Sequence, residues 1–190
     1  MPPDPDQKLD IDEKLLARLK SADHEAYAEV YRRFNRPLYT VAFRICQSEQ
    51  EALDVLQETF VQAFVRIEQF RGDSFWGWIR RITVNQCLSR LRQIKRKSLT
   101  LVDPDDWAGH TSDGGAQIDL NEAFARLPAE TRAVVWLYDV EGYSHQEIAD
   151  AFGKSLSFSK TQLSRAHQKL RDWLDKPEDD GPCPQMITAS

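Results

Sequence analysis

Residues 143–174 read YSHQEIADAFGKSLSFSKTQLSRAHQKLRDWL. Ser144 and Glu147 have the S-x-x-E spacing of a capping box, in which hydroxyl and carboxylate each satisfy a backbone amide at a helix start. A short helix then carries Ile148, Ala149 and Phe152 on one face. Gly153 ends it, because glycine accepts the left-handed backbone that closes a helix. Ser155 is placed to cap a second helix. Along that helix Leu156, Leu163, Ala166, Leu170 and Trp173 recur at spacings that keep one face buried. The same spacing suits an ordinary helical hairpin. The capping box followed by the glycine turn favours the helix-turn-helix layout, whose second helix enters the DNA major groove. Its outward residues are Ser157, Phe158, Lys160, Thr161, Ser164, Arg165 and Gln168. Lysine and arginine reach phosphates or guanine edges, and hydroxyls donate or accept.

Upstream lies NEAFARLPAETRAVVWLYDVEG, residues 121–142. Leu127-Pro128 marks a helix boundary, and Ala133, Val134, Leu137 and Tyr138 supply a buried stripe. Before it, residues 98–120 hold Pro-Asp and Gly-Gly breakers and five aspartates, the composition of a linker. The first block spans residues 23–97 and is predicted to form helices over 23–46, 48–69 and 74–96, preceded by one over 10–20. Asp23 is placed to cap the second. In the third, Ala52, Leu56, Phe60, Ala63, Phe64 and Ile67 fall on one side, with Glu51, Asp54, Glu58 and Gln62 opposite. By itself that acidic stripe is a solvated helix face. The fourth helix follows FRGDSFWGW, residues 70–78, where Phe75 and Trp78 should be at least partly buried. Its polar positions are mostly Arg, Asn and Gln. Aromatic rings beside an arginine-rich helix suit single-stranded DNA, since bases stack while arginines hold phosphates.

The fold class is therefore all-α: two small helical domains joined by a flexible acidic linker. Residues 1–22 form an N-terminal extension and first helix, and residues 121–174 the helix-turn-helix domain. Residues 175–190 are a Pro-rich acidic tail predicted to be disordered.

The chain has 190 residues, 41% hydrophobic and 29% charged, with a net charge of −5. The overall sign argues against nucleic acid, but its distribution does not. Residues 80–97 contain Arg80, Arg81, Arg90, Arg92, Lys95, Arg96 and Lys97 and no acid, and a local patch can bind phosphates whatever the global balance. No apolar run approaches the ~20 residues of a membrane span. The polar N-terminus lacks a secretory signal, so a cytoplasmic protein without membrane insertion is expected. Cys46, Cys87 and Cys183 are odd in number and form no C-x-x-C pair, which argues against a disulfide framework or a cysteine zinc site. Cys46 and Cys87 read as small buried hydrophobes. The histidines at 24, 110, 145 and 167 are scattered. No Ser/His/Asp set, metal cluster or Gly-rich phosphate loop is present, so neither enzyme activity nor a cofactor is expected.

Residues 51–92, EALDVLQETFVQAFVRIEQFRGDSFWGWIRRITVNQCLSRLR, resemble the σ2 domain of extracytoplasmic-function (ECF) sigma factors of the sigma-70 family. Residues 127–171, LPAETRAVVWLYDVEGYSHQEIADAFGKSLSFSKTQLSRAHQKLR, resemble their σ4 domain. With the connector, the resemblance covers about residues 20–174, in order and spacing. It implies an RNA polymerase subunit that directs the core enzyme to promoters, in response to stress or an envelope signal. It makes the acidic stripe a docking face, with Glu51, Asp54, Gln57 and Glu58 on the β′ clamp helices. The loop at Arg71, Gly72, Asp73 and Ser74 would receive a base flipped from the −10 element, at an unstacking cost the pocket must offset. Trp78, Arg80, Arg81, Asn85 and Arg92 would complete the −10 contacts. Ser157, Phe158, Lys160, Thr161, Ser164 and Arg165 would face the −35 element. The implied partners are core polymerase, through the β′ clamp helices and the β flap, promoter DNA and an anti-sigma factor. The linker would thread the polymerase cleft and RNA path.

The chain departs from the family pattern at several positions. Leu53 stands where a third docking acid is usual, and the wheel puts it at the edge of the buried side. Ser159 occupies a usually apolar position, Phe158 a usually small polar one, and Lys154 a usually apolar turn position. The recognition helix carries few cations, so duplex affinity of this block alone should be feeble. Phosphorylation of Thr59 could restore charge near Leu53, but Thr59 falls near the core side. Two other functions fit parts of the pattern. A helix-turn-helix regulator without polymerase docking would need a ligand or dimer domain. A sigma-like decoy that only binds an anti-sigma protein has no need for the aromatic loop and basic helix.

Overall fold

A computed structural model describes residues 10–72, 74–98 and 119–174. Asp73, nearly all of the linker, the acidic tail and Cys183 lie outside the described residues. Every regular element among those described is helical.

Helix α1 (Glu13–Lys20) starts at Asp12, whose carboxylate accepts from the Leu15 amide at 2.7 Å, and buries Leu15 and Leu19. Asp23 caps α2 (His24–Cys46) as expected, accepting from Glu25 N. Ser48 caps α3 (Glu49–Val65), and a 3-10 turn at Ile67–Gln69 leads to α4 (Phe75–Ser98). The anticipated face of α3 is the buried one, widened by Val55 and Thr59. In the same core Phe34 of α2 packs on two rings of α4, Phe75 at 5.4 Å and Trp76 at 6.0 Å between centroids. Phe75 is fully buried and Trp78 half-buried, as their setting predicts.

Thr59 is fully buried, and its hydroxyl finds no hydrogen-bond partner among the described residues. That closes the site to a kinase and leaves a polar atom desolvated without return. Thr59→Val keeps the shape and removes that atom. It is expected to raise stability by about 1 kcal/mol in urea unfolding, and a loss of stability would contradict this account of the site.

In the second block α5 (Leu120–Ala125) and α6 (Ala129–Val135) flank Leu127-Pro128, and a π-helical turn, Trp136–Val140, extends α6. The wider turn shifts the register. Val135 is buried and Tyr138, predicted to be buried, is exposed. Helices α7 (His145–Phe152) and α8 (Leu156–Leu174) complete the fold. Leu156 is also corrected: it lies on the first turn of α8, 40% exposed, and Ser159 takes the buried position at 0%. The Ser159 hydroxyl is satisfied by His145 Nδ1 at 3.0 Å, which explains how a polar residue can sit where an apolar one is usual.

The two blocks share a core. Val41, Ile45, Val84 and Leu88 of α2 and α4 belong to one apolar cluster with Phe124, Leu127, Leu137 and Ile148. Cys46 and Cys87 meet at its edge. A hydrogen bond between them holds the Cys46 thiol below its ordinary range, while the same bond and burial push Cys87 well above it.

Candidate docking face and nucleic-acid interface

The acidic side of α3 faces outward at Asp54, Gln57 and Glu58, with Glu51 half-buried. Its upper half is partly neutralised. Arg90 of α4 places Nε 2.7 Å from Glu51 and Nη2 3.0 Å from Asp54. Glu58 has no ionic partner among the described residues. Leu53 is 50% exposed, which corrects its placement at the core edge. Steps of four residues put it in line with Gln57, Val61 and Val65, all exposed. The buried side of α3 is already filled between α2 and α4 by Ala52, Val55 and Leu56. The face is thus an acidic edge beside an apolar stripe, rather than acidic alone.

At the start of α4, Ser74 Oγ accepts from Gly77 N at 3.1 Å and orients the first turn. Gly72 and Ser74 stand exposed at the rim of a cavity of about 410 Å³, with Trp78 in its wall. Trp78 is held by Phe70 at 5.4 Å and Phe75 at 5.6 Å. Arg71 stays exposed and folds back so that its Nη1 donates to the carbonyls of Glu68 and Phe70. Steps of four and seven residues align Arg81, Asn85 and Arg92 in one exposed stripe. Arg80 lies off that stripe. Its guanidinium sits over Trp76, 5.7 Å from the ring centroid, and its Nε is 3.0 Å from Glu141 of the other block.

The helix-turn-helix is built as its sequence specifies. Glu147 N donates to Ser144 Oγ at 3.2 Å and Ser144 N to Glu147 Oε2 at 2.9 Å. The Ser144 amide and hydroxyl both donate to Glu147 Oε2, and these two bonds hold its carboxyl below its ordinary range. Gly153 has φ +62°, and Ser155 Oγ accepts from Phe158 N at 3.3 Å. Ser157, Lys160, Thr161, Ser164 and Arg165 are exposed on α8. Phe158 is corrected: its ring packs on Phe152 at 5.5 Å and is half-buried, so it braces the turn instead of being offered outward. Thr131 Oγ1 donates to Gln162 at 2.7 Å and fixes α8 on α6.

Arg90, expected in the basic patch, turns to the acids of α3 instead, and three further residues matter here that their sequence setting does not single out: Arg132, Glu141 and Tyr143. Arg132 is the one with a local signal, a charge standing beside the apolar run Ala133, Val134 and Val135.

A family model described as Sigma-70 region 2 matches residues 30–97, and one described as Sigma-70, region 4 matches residues 117–170. The chain is 33% identical over 161 residues to the ECF RNA polymerase sigma factor SigM of Mycobacterium tuberculosis, covering 84% of this chain and 82% of that one. It is 32% identical over 163 residues to the ECF RNA polymerase sigma factor SigE of Mycolicibacterium smegmatis, covering 80% of this chain and 62% of that longer relative. The chain thus spans less than two thirds of SigE. Among solved structures, CnrH in complex with the cytosolic domain of CnrY shares 26% identity at a TM-score of 0.50, covering 86% of this chain and 97% of that one. The sigma factor RpoE from Bartonella quintana, in complex with the anti-sigma factor NepR, is similar in fold, with 23% identity, a TM-score of 0.53, and coverage of 78% of this chain and 96% of that one.

Proposed function

Because the chain belongs to the ECF RNA polymerase sigma factors, of the sigma-70 family, we propose that it directs core polymerase to a narrow promoter set under stress or an envelope signal. The observation that carries this reading is the pairing of the Arg81, Asn85 and Arg92 stripe with the aromatic-walled cavity at Trp78, which lies between the two blocks. A non-template strand can lay its phosphates on the stripe and one base in the cavity. Asp54, Gln57 and Glu58, with Glu51 behind them, dock on the β′ clamp helices, and the apolar stripe at Leu53 and Val61 supplies contact where a charge is missing. The region-4 block rests on the β flap and turns Ser157, Lys160, Thr161, Ser164 and Arg165 to the −35 element. Few cations line α8, so most duplex affinity comes from the polymerase. An anti-sigma factor is a further partner, in line with the NepR complex of the Bartonella protein. A cytoplasmic site of action follows from this role. Among the described residues no helix is long and apolar enough to cross a membrane.

Run-off transcription with purified core polymerase tests the reading. The chain should produce promoter-dependent transcripts, and their absence with demonstrably active core enzyme would sink it. Charge reversal is the second arm. Glu58→Lys combined with Asp54→Lys sets like charges against a basic partner and is expected to weaken core binding at least about tenfold. Unchanged affinity in a pull-down would remove the docking assignment and leave the strand-binding one standing.

A further inference from the structure

Arg80 and Arg81 are the first cations of α4, and both line the cavity. In the structure the chain's own C-terminal block is already there. The corner Glu141-Gly142-Tyr143, between the π-helical turn and α7, lines the cavity opposite Gly72, Ser74 and Trp78. The Glu141 side chain is 4% exposed, with Oε2 3.0 Å from Arg80 Nε. Its other oxygen accepts from Trp136 Nε1 at 2.9 Å, which aims the carboxylate at the arginine. Tyr143 is half-buried and lines the cavity together with Arg81, whose positive charge acts on its phenol. Gly142 has φ +71°, a conformation that lets the corner turn and that other residues rarely adopt. An anion on one arginine and a flat ring against the next, beside a tryptophan, reproduce the chemistry of a nucleotide.

We propose that the Glu141–Tyr143 corner is an internal stand-in for the promoter strand, which holds the free protein closed with its −10 face occupied. The inference rests on reading Arg80 and Arg81 as strand-binding residues. Other contacts secure the closed arrangement: Lys95 Nζ meets the Glu130 carboxylate at 3.0 Å, and Arg132 donates to Ile45 O of the first block. The closure is selective. Gln57 and Glu58 on α3 and Ser164 and Arg165 on α8 stay exposed. Polymerase and duplex can therefore engage first, and the strand site opens last. A site available in only a fraction of molecules binds more weakly by that fraction. If about one molecule in ten is open, freeing the corner tightens strand binding by about tenfold.

The test uses the full chain and a fluorescein-labelled single-stranded DNA of mixed sequence, followed by anisotropy. Glu141→Gln keeps the shape and removes the charge, while Gly142→Val breaks the corner without changing charge. Both should bind the strand about tenfold tighter and show a larger radius of gyration in small-angle scattering. Adding Arg81→Ala to Glu141→Gln should cancel the gain. Asp139→Asn removes a charge from the same turn without touching the corner and should change little. Strand affinities of both corner variants within about twofold of the unaltered chain overturn the proposal, as does an equal gain from Asp139→Asn. Run-off transcription separates the two readings. A chain that initiates transcription but gains nothing from Glu141→Gln loses only the stand-in. A chain that gains strand affinity but never initiates loses only the sigma function.

Discussion

Replacing Arg132 by methionine is expected to cost this protein about 3 kcal/mol of stability, although the two side chains are similar in length. Arg132 is 6% exposed. Its Nη1 donates to Ala125 O at 3.2 Å and Leu127 O at 3.0 Å, and its Nε and Nη2 donate to Ile45 O at 3.3 and 3.2 Å. Those carbonyls stand at the ends of α5 and α2, where no further helical amide can reach them. One guanidinium therefore closes two helix C-termini from two different blocks, and its charge opposes the negative end of each helix. Burial pulls its pKa down, with the neighbouring Cys46 working against the shift. Methionine fills the space and donates nothing, so three carbonyls lose their partners in a dry setting. Arg132→Lys should rescue little, because a single ammonium lacks the planar fork that spans the three acceptors. Urea unfolding of the full chain measures the effect. A loss below about 1 kcal/mol would mean that water replaces the guanidinium at no cost.

Phe34→Ala is expected to have an effect of similar or larger size, about 3–5 kcal/mol. Phe34 is fully buried, tilted on Phe75 and stacked on Trp76. Truncation opens a cavity that rigid helix backbones cannot collapse into, so the transfer and cavity costs add. The damage would reach function by a short route. Phe75 backs Trp78 in the cavity wall, and Trp76 lies beneath Arg80. The expected readout is a drop of about 10 °C in melting temperature, with loss of single-strand binding before global unfolding. A melting temperature unchanged within a degree or two would show that the region-2 core does not depend on this ring.

Much of the site was legible without coordinates because its parts are local. The Ser144–Glu147 box and the Gly153 turn each involve residues within a few positions of one another. The buried face of α3 follows from helical periodicity, and so does the shared stripe of Arg81, Asn85 and Arg92. Misplacements came where one local rule yielded to a neighbour. Tyr138 left the core because the chain widens into a π-helical turn. Leu156 was displaced by Ser159 once His145 offered that hydroxyl a partner. Phe158 turned inward because Phe152 presents a ring to it. Leu53 stayed outside because α2 and α4 already cover the other side of its helix.

The amino-acid sequence by itself determined an all-α chain of two helical blocks, their caps, and the residue types on each exposed stripe, since periodicity and capping act over a turn or two. Only the tertiary structure decided which charges are spent and which are left to offer. Arg90 neutralises Glu51 and Asp54, Arg132 reaches a carbonyl 87 residues away, and Glu141 occupies Arg80. Each of these pairings depends on how helices distant in sequence pack against one another, and a desolvated charge takes whichever partner that packing brings within reach.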